Sequence, residues 1–269
     1  MKHVKKDLQI HTALGRGDVA PYVLLAGDPG RIPQIASFLE KAQKIAENRE
    51  FITYRGSVEG TPVTACSTGI GSPSTAIVVE ELSRLGAHTF IRIGTSGGLG
   101  EGVKAGDLVI STGSIRSDGA SRTYAWPEYP AVAHYEVVSA LVEGARKLGQ
   151  EAHVGITWCV DGFYSENKML SRGKLMPMSF RGFQLRDRAE RLLDVKAMGA
   201  KNVEMETGTL FTLANIFGLR AGAICLVSDV TPWRGPLHEA YDPRTRMRDC
   251  IAVAVEAVKI LIEEEGSRG

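Results

Sequence analysis

The sequence has few cysteines, and none of them forms a recognisable metal or redox motif. Its four cysteines, Cys66, Cys159, Cys225 and Cys250, lie far apart, with no CxxC pair and no histidine at metal-ligand spacing. Three of the four stand in apolar runs, where a small buried thiol is the expected state. We therefore expect neither a zinc site nor a disulfide framework, and a reducing, cytoplasmic compartment.

Long hydrophobic runs and an excess of either charge are also absent. The longest apolar window, IAVAVEAVKILI, is interrupted by Glu256 and Lys259, which predicts an amphipathic helix and not a membrane span. The basic N-terminal residues precede no apolar stretch, so we expect no signal peptide. Lys and Arg together number 32 against 31 acidic residues, which gives nucleic acid or an anionic membrane no general attraction. Any anion must be bound locally.

Short β-branched runs alternate with helical patterns over the 269 residues. The runs YVLLAG, PVTACSTG, TFIRIG, DLVIST, HVGITWCV and RAGAICLVSD predict six strands, several of them apolar on both faces. No repeat, low-complexity tract or linker divides the chain. The pattern predicts an α/β fold with one extended, mixed or mostly parallel sheet, and a single domain over residues 1–269.

Five helices are predicted between these strands. The first covers residues 72–85, with Ser72 as N-cap and Pro73 in the first turn. The others cover residues 134–148, 187–198, 203–217 and 244–264. Residues 162–187 show weak periodicity, which is typical of a lid or recognition element but also of a surface excursion.

Glycine-rich stretches follow or join three of the predicted strands: AGDPGR, STGIGSPS and RIGTSGG. STGIGSPS matches the dinucleotide fingerprint only in part, because Ser74 replaces its third glycine and no acidic residue follows a second strand. GTSGG places Ser96 in a G-x-S-x-G motif, but glycines follow where a nucleophile elbow needs a helix. Both alternatives are weaker than an anion site.

Arg92 lies inside the apolar run TFIRIG, where an unpartnered guanidinium would be costly to bury. Gly27, Arg31, Arg92 and Thr95 all follow or end strands, and together they offer backbone amides, two guanidiniums and a hydroxyl. These are the donors that a tetrahedral oxyanion such as phosphate needs. A core carboxylate as the partner of Arg92 is the alternative.

Glu206 is a second charged residue at a predicted core position. In VEMETGTLFTLANIF it shares a helical face with Leu210, Leu213 and Phe217. A carboxylate on that face needs hydrogen-bond donors, and a ribose cis-diol would supply two. The alternative is an ordinary first-turn charge that the helix dipole favours.

Taken in order along the chain, several motifs resemble the nucleoside phosphorylase family, in the branch of uridine phosphorylases and hexameric purine nucleoside phosphorylases. The motifs are GDPGR at residues 27–31, NREF at 48–51, STGIGSPS at 67–74, RIGTSGG at 92–98, SDGAS at 117–121 and VEMET at 203–207. They span nearly the whole chain. The resemblance implies a single-domain three-layer sandwich around an extended mixed sheet.

The resemblance also implies the site and its assembly. Phosphate would be held by Gly27, Arg31, Arg92 and Thr95, with Arg49 supplied by a neighbouring subunit. Ribose would be held by Met205 and Glu206, with His11 reaching the 5′-hydroxyl across the interface. A dimer would then be the catalytic unit, assembled as a hexamer. The reaction would be phosphorolysis to a free base and ribose 1-phosphate, with phosphate as co-substrate and no organic cofactor.

The base is harder to assign. The Phe163-Tyr164 pair is typical of uridine phosphorylases, in which a Gln and an Arg follow, but here Asn167 and Met169 stand at those positions. Ser228 and Asp229 resemble the purine enzymes, in which the Asp protonates N7. The helper arginine of those enzymes could be Arg234, Arg244, Arg246 or Arg248. We expect purine nucleosides to be favoured, with uridine as the alternative.

Two further expectations come from the resemblance. A potassium ion could bind between subunits through Glu50, the carbonyl of Ile70 and Ser74. Asp229 would need a raised pKa to act as an acid at neutral pH, and burial at a strand end would raise it. A nucleoside hydrolase of the same fold and a non-enzymatic nucleoside-binding module are the competing functions.

Overall fold

A computed structural model describes residues 8–234 and 244–267, and within them the chain is a mixed α/β protein. The strands, in chain order, are β1 Tyr22–Ala26, β2 Glu40–Asn48, β3 Phe51–Val58, β4 Thr61–Ser67, β5 Thr89–Gly98, β6 Leu108–Ser117, β7 Ala131–Val132, β8 Ala152–Val160, β9 Lys168–Ser171, β10 Lys174–Pro177, β11 Asn202–Glu204 and β12 Arg220–Val230. The α-helices are α1 Ile32–Ala36, α2 Ser72–Arg84, α3 Ala120–Tyr124, α4 Tyr135–Lys147, α5 Phe163–Glu166, α6 Arg191–Ala197, α7 Thr207–Ile216 and α8 Arg244–Gly266.

One large mixed sheet organises the described residues, which confirms the predicted fold class. Its strand order is β11-β8-β6-β12-β5-β1-β4-β3-β2, with β7 beside β6, while β9 and β10 form a separate hairpin. The short strand β11 also pairs antiparallel with β5 through Asn202 and Val203. Strands β11, β8, β6, β12 and β5 therefore form a closed ring, a feature that the sequence pattern did not predict.

Helices cover both faces of the sheet and give the expected three layers. Side chains alternate along a strand, so Leu24 of β1 packs in a core cluster with residues of α1, α4 and α8. Val23 and Leu25 point the other way and pack in a cluster with residues of α2 and α7. Strand β5 is buried and pairs in parallel with both β1 and β12. The carboxyl ends of these three strands therefore meet at one edge of the sheet.

All six predicted strands are present, as β1, β4, β5, β6, β8 and β12. Helix α2 also matches its prediction, with Pro73 in its first turn. Ser72 is not its N-cap, however: Gly71 occupies that position with φ of 93°, and the Ser72 hydroxyl donates to the Met205 carbonyl at 3.0 Å. A positive φ favours glycine there, which explains why the cap carries no side chain.

Three segments differ from their predictions. Residues 203–217 are not one helix, because Val203 belongs to β11 and α7 begins only at Thr207. The predicted helix over residues 187–198 is shorter, with a 3-10 turn at Arg186–Arg188 before α6. Residues 162–187 contain α5 and the β9–β10 hairpin, so they are not a plain loop. The sequence analysis did not predict the β2–β3 hairpin, because β2 is mostly polar and lacks the alternation of apolar and polar residues that indicates a strand.

All four cysteines are buried free thiols, which includes the three that the sequence predicts to be buried. Burial raises the pKa of the Cys66 thiol to about 12. Among the described helices, none has the length and apolar character that crossing a membrane requires.

Candidate active site

A cavity of about 620 Å³ lies at the carboxyl ends of β1, β5 and β12. Ten of the predicted phosphate, ribose and base residues line it together: Gly27, Arg31, Arg92, Thr95, Phe163, Asn167, Met205, Glu206, Ser228 and Asp229. Glu50 and Ile70 of the expected potassium group also line it. The structure thus brings residues from seven separate parts of the chain to one pocket.

Arg92 is buried in this cavity, and protein carboxylates are its partners. Its Nε donates to Glu204 Oε2 at 2.9 Å, and its Nη2 donates to Glu206 Oε2. Of the two alternatives for Arg92, the core carboxylate is therefore present in the structure, and phosphate as a further partner stays a prediction. Burial lowers the pKa of the guanidinium, but Glu206 and Glu204 more than offset this, so its pKa is raised.

One nitrogen of Arg92 remains available. Nη1 is buried and has no hydrogen-bond partner within residues 8–234 and 244–267. It lies beside Gly27, where an added Cβ would come within 3.8 Å of Nη1 and 3.3 Å of the Gly69 carbonyl. An unsatisfied buried guanidinium N–H costs free energy unless a ligand accepts from it. Glycine at position 27 keeps the space for that ligand open.

Arg31 is the second guanidinium at this end of the cavity. It follows a 3-10 turn, Pro29–Arg31, whose N-cap Asp28 accepts from the Gly30 amide at 2.8 Å. Its Nη1 donates to the Ile93 carbonyl at 3.2 Å. Burial and then the nearby charge of Arg92 lower the pKa of Arg31. Arg31 and Arg92 are thus close enough to repel each other, and an anion bound between them would relieve that repulsion.

Glu206 has protein donors, as a buried carboxylate must. Besides Arg92, the Gly71 amide donates to its Oε1 at 2.6 Å. Glu206 is the N-cap residue of α7 and not a position inside the helix. Leu210 and Leu213 are fully buried as predicted, whereas Phe217 is 39% exposed. Burial, reinforced by the Glu204 carboxylate, raises the pKa of Glu206 although Arg92 opposes the shift.

Glu204 is a buried site residue that sequence reasoning missed. It accepts from Arg92, from the Glu206 amide at 2.9 Å and from the Thr207 amide at 3.0 Å. The bonds to the two amides hold the turn from β11 into α7, and the bond to Arg92 fixes the position of its guanidinium. The sequence signal that could have identified Glu204 was the Glu-x-Glu spacing of VEMET, which puts a second carboxylate two residues from Glu206.

Asp229 occupies the opposite end of the cavity. The pairing of β12 with β5 shifts register between Val227 and Asp229, so Ser228 is bulged. An added Cβ on Gly97 would lie 3.2 Å from Asp229 Oδ2, so glycine makes room for the carboxylate. Burial raises the pKa of Asp229 to about 6, against the opposing hydrogen bond from Ser228 Oγ at 2.8 Å. This is the shift that an acid role requires.

Asn167 stands near Asp229, but its amide is already engaged by protein groups. Its Nδ2 donates to the Phe163 carbonyl at 2.9 Å, and its Oδ1 accepts from Thr231 Oγ1 at 3.3 Å. Asn167 is 4% exposed and Phe163 is 39% exposed. The aromatic ring therefore offers an accessible apolar surface at the base end, and Asn167 fixes the segment that carries it.

Three of the four candidate helper arginines, Arg234, Arg246 and Arg248, do not join Asp229 in this chain. Arg246 donates to the Gly106 carbonyl and to Gln150, and Arg248 stacks over Phe38 with 5.1 Å from Cζ to the ring centroid. Both choices are wrong for the chain's own pocket. Arg234 is exposed and does not line the cavity, and the side chain of Arg244 lies outside the described residues.

His11, Arg49 and Ser74 are not in the cavity of their own chain. His11 Nδ1 lies 2.7 Å from Glu81 Oε1, and Arg49 is exposed at the tip of the β2–β3 turn with φ of 54°. Ser74 Oγ donates to Glu50 Oε1 at 3.1 Å and to the Thr68 carbonyl. Glu50 and Ser74, two of the three residues expected to bind potassium, are therefore adjacent, and the potassium site stays a prediction.

The serine-hydrolase alternative is excluded by the surroundings of Ser96. Its hydroxyl accepts from Asn202 Nδ2 at 2.9 Å, and strand β5 continues through it to Gly98. No helix follows to hold Ser96 on a strained elbow, and the residue is buried. The two glycines after Ser96 instead allow the close approach of β11 and Asp229.

Comparison with known proteins agrees with this geometry. Residues 21–263 match the model of the phosphorylase superfamily. A uridine phosphorylase of Thermococcus kodakarensis is 43% identical over 96% of this chain and 88% of its own length, and one of Escherichia coli K12 is 38% identical over 94% and 97%. A guanosine phosphorylase of Halorubrum lacusprofundi is 40% identical over 81% and 82%. The chain therefore belongs to the phosphorylase superfamily, in the branch that holds these nucleoside phosphorylases.

Proposed function

We propose that the chain catalyses the reversible phosphorolysis of uridine to uracil and ribose 1-phosphate. The observation that carries the choice of base is the 43% identity to the uridine phosphorylase of Thermococcus kodakarensis over 96% of the chain. The purine preference expected from Ser228 and Asp229 is not supported by most of the similar proteins, and uridine fits them better. The enzyme class is that of a pentosyltransferase.

Phosphate would occupy the space between Gly27, Arg31, Arg92 Nη1 and Thr95. A phosphate oxygen accepting from Nη1 would satisfy the one guanidinium nitrogen that has no partner among the described residues. It would also reduce the repulsion between Arg31 and Arg92 that lowers the pKa of Arg31. Arg49 of a neighbouring subunit would complete the clamp.

The proposed reaction depends on charge stabilisation by the protein and not on a covalent enzyme intermediate. As the C1′–N bond breaks, positive charge develops on the ribose and the bond's electron pair leaves with the base. The clamped phosphate stabilises that cation and forms the new bond to C1′. Glu206 and Met205 would hold the ribose, with His11 of the neighbouring subunit at the 5′-hydroxyl. Positioning and electrostatics then supply most of the acceleration.

Uracil would lie against Phe163 with its polar edge toward Ser228 and Asp229. The uracil ring presents an N–H donor between two carbonyl acceptors. A carboxylate with a pKa of about 6 is mostly ionised at neutral pH and can accept from that N–H. The Ser228 hydroxyl, which donates to Asp229 in the structure, would turn to donate to a uracil carbonyl. Both groups line the cavity, as this pose requires.

A 6-oxopurine nucleoside is the second candidate, and Asp229 favours it. A buried acid with a pKa of about 6 can protonate a purine nitrogen as the base departs. The guanosine phosphorylase of Halorubrum lacusprofundi, 40% identical over 219 residues, is consistent with such a substrate. Asp229 would accept a hydrogen bond from uracil but would donate a proton to a purine, so a variant of Asp229 can separate the two candidates.

The catalytic unit in this proposal is a dimer, assembled as a hexamer. Arg49 and His11 lie outside the cavity of their own chain, which supports their use by a neighbour. Mixing inactive Arg49→Ala and Arg92→Met chains should restore part of the activity, because every mixed dimer then contains one intact site and one site that lacks both arginines. No recovery after subunit exchange would contradict shared sites.

The test of the proposal is base release from uridine, guanosine, inosine and adenosine, each with and without phosphate. Uridine should be cleaved fastest and only when phosphate is present. Phosphate-independent cleavage would indicate a hydrolase, and binding without cleavage of any of the four would indicate a nucleoside-binding module.

A potassium ion at Glu50, the Ile70 carbonyl and Ser74 is part of the proposed assembly. Raising potassium at constant ionic strength, with tetramethylammonium as the replacement, should raise the melting temperature by about 2 to 4 °C. Glu50→Gln should abolish the increase. An equal response in the variant would contradict the site.

A further inference from the structure

The base end of the cavity is carried by a helix of only one turn. Phe163 begins α5 and Asn167 follows its last residue, and both line the cavity. Two backbone bonds close the turn: the Glu166 amide donates to Gly162 at 3.0 Å, and the Asn167 amide donates to Phe163 at 3.1 Å. So short a helix has little stability of its own, so its position depends on side-chain contacts.

Glu166, the last residue of α5, is the strongest such contact. Its carboxylate is 9% exposed, contacts two arginines and does not line the cavity. Oε1 accepts from Arg188 Nη1 at 2.6 Å and from Arg191 Nη1 at 3.1 Å. Oε2 is buried and has no hydrogen-bond partner in the described part of the chain. The position of Glu166 therefore rests on these two guanidiniums.

Arg191 is anchored to the sheet. Its Nη2 donates to Ser117 Oγ at 2.6 Å, and the same oxygen accepts from Trp158 Nε1 at 2.9 Å. Its guanidinium also lies 5.7 Å from the ring centroid of Trp158, which is fully buried in β8. Through Arg191, Glu166 is tied to strands β6 and β8, which belong to the closed ring.

Arg188 is different, because a surface segment carries it. It ends the 3-10 turn Arg186–Arg188, and its side chain is 38% exposed. Its other ion-pair contact is with the adjacent Asp187 at 3.6 Å. Arg188 thus joins the surface segment before α6 to the helix that bears Phe163 and Asn167.

We propose that Glu166 and Arg188 are a positioning pair for the nucleoside base, which rests on the phosphorylase function proposed above. Neither side chain lines the cavity, so neither contacts the base. Their ion pair holds α5 from outside and so fixes Phe163 and Asn167 in the orientation that contacts the base. The phosphate end, which stands on other strands, does not depend on this pair.

The test is Arg188→Gln, with Arg186→Gln as the matched control. Arg186 is exposed in the same turn and has no ion pair among the described residues. Arg188→Gln should raise KM for the nucleoside about 5- to 10-fold, with kcat and KM for phosphate within about twofold of wild type. Arg188→Lys should recover at least half of the loss, since lysine restores one charged donor. The nucleoside is whichever one the enzyme cleaves fastest, so failure of uridine as substrate leaves this test intact.

A second measurement does not need turnover. Arg188→Gln should raise the hydrogen-exchange rates of the Glu166 and Asn167 amides about fivefold, because the turn opens more often without the ion pair. Equal constants and equal exchange in the Arg188→Gln and Arg186→Gln proteins would overturn the proposal. The proposal would also be overturned if Arg188→Gln lowered kcat, raised the KM values of both substrates and raised hydrogen exchange throughout the molecule. That pattern describes general destabilisation.

Discussion

The two ends of the cavity are built from different kinds of structure. At the phosphate and ribose end, Arg92 stands on β5 and Glu204 on β11, two strands of the closed ring that pair directly with each other. At the base end, Phe163 and Asn167 stand on a one-turn helix that leads into a small hairpin. The charged groups of the proposed phosphate and ribose site are thus fixed in the sheet, and the proposed base contacts lie on peripheral elements.

The largest expected effect is at the phosphate end. Arg92→Met leaves Glu204 and Glu206 buried without their cation, so the free energy of unfolding should fall by about 3 to 5 kcal/mol. Phosphorolysis should fall at least 1,000-fold, roughly the size of losing a main electrostatic group. Urea denaturation and steady-state kinetics check both.

Arg84→Met is the matched control for that change. Arg84 is 63% exposed and pairs with Glu80 on the surface of α2. Its removal should change stability by no more than about 0.5 kcal/mol. An Arg92→Met enzyme as stable and as active as the Arg84→Met enzyme would show that the two ends of the cavity do not differ as described.

At the base end, Asp229→Asn should separate the two candidate bases. Loss of a general acid should reduce cleavage of any purine nucleoside the enzyme accepts by about 100-fold. Uridine, for which the side chain only accepts a hydrogen bond, should lose about tenfold, since asparagine still offers a carbonyl oxygen. Equal losses on both substrates, measured as kcat/KM, would remove the acid role.

The same variant should change the pH dependence of stability. The pKa of Asp229 is raised from 3.8 to about 6 in the folded protein, so folding favours the protonated form. Its contribution is fully present below pH 3.8 and is lost as the pH rises through 6. Between pH 4 and 7, the free energy of unfolding of wild type should fall by about 2 kcal/mol relative to Asp229→Asn. Parallel curves from urea titrations would contradict the raised pKa.

The smallest effect returns to the phosphate end. The Cβ of Gly27→Ala would lie 3.3 Å from the Gly69 carbonyl and near Arg92 Nη1. KM for phosphate should rise about tenfold, with little change in KM for the nucleoside. Gly266→Ala, where an added Cβ meets no atom within 4 Å, is the control. A rise in nucleoside KM alone would place the phosphate elsewhere in the cavity.

These two ends also differ in how well the sequence predicts them. Arg31 follows β1, and Arg92 and Thr95 lie on β5. Both strands have a clear apolar pattern and are parallel neighbours, so the convergence of these residues follows from the sheet. Glu204 was missed because its role depends on β11 crossing to β5, a long-range pairing that no local period signals. The prediction of Arg246 or Arg248 as the helper arginine was wrong, because α8 places Arg246 against the Gly106 carbonyl and Arg248 over Phe38.

The base-end segment was harder for a further reason. Residues 162–187 have little hydrophobic period, and the short elements α5, β9 and β10 are held by ion pairs and backbone bonds and not by a core stripe. A partner for Glu166 lies 22 residues away at Arg188. Sequence patterns identify such a segment as irregular, but its internal contacts depend on three-dimensional packing.

Closure of the ring at β11 also bears on how this protein avoids unwanted association. Because β11 pairs with both β8 and β5, the main path of the sheet, over the residues that the structure describes, has an open side only at β2. That strand, EKAQKIAEN, carries two lysines and two glutamates and shows register irregularities against β3. Charges and bulges on an exposed strand oppose pairing with another chain. Copies of this protein are therefore expected to meet through side chains and turns, and not by extending each other's sheets.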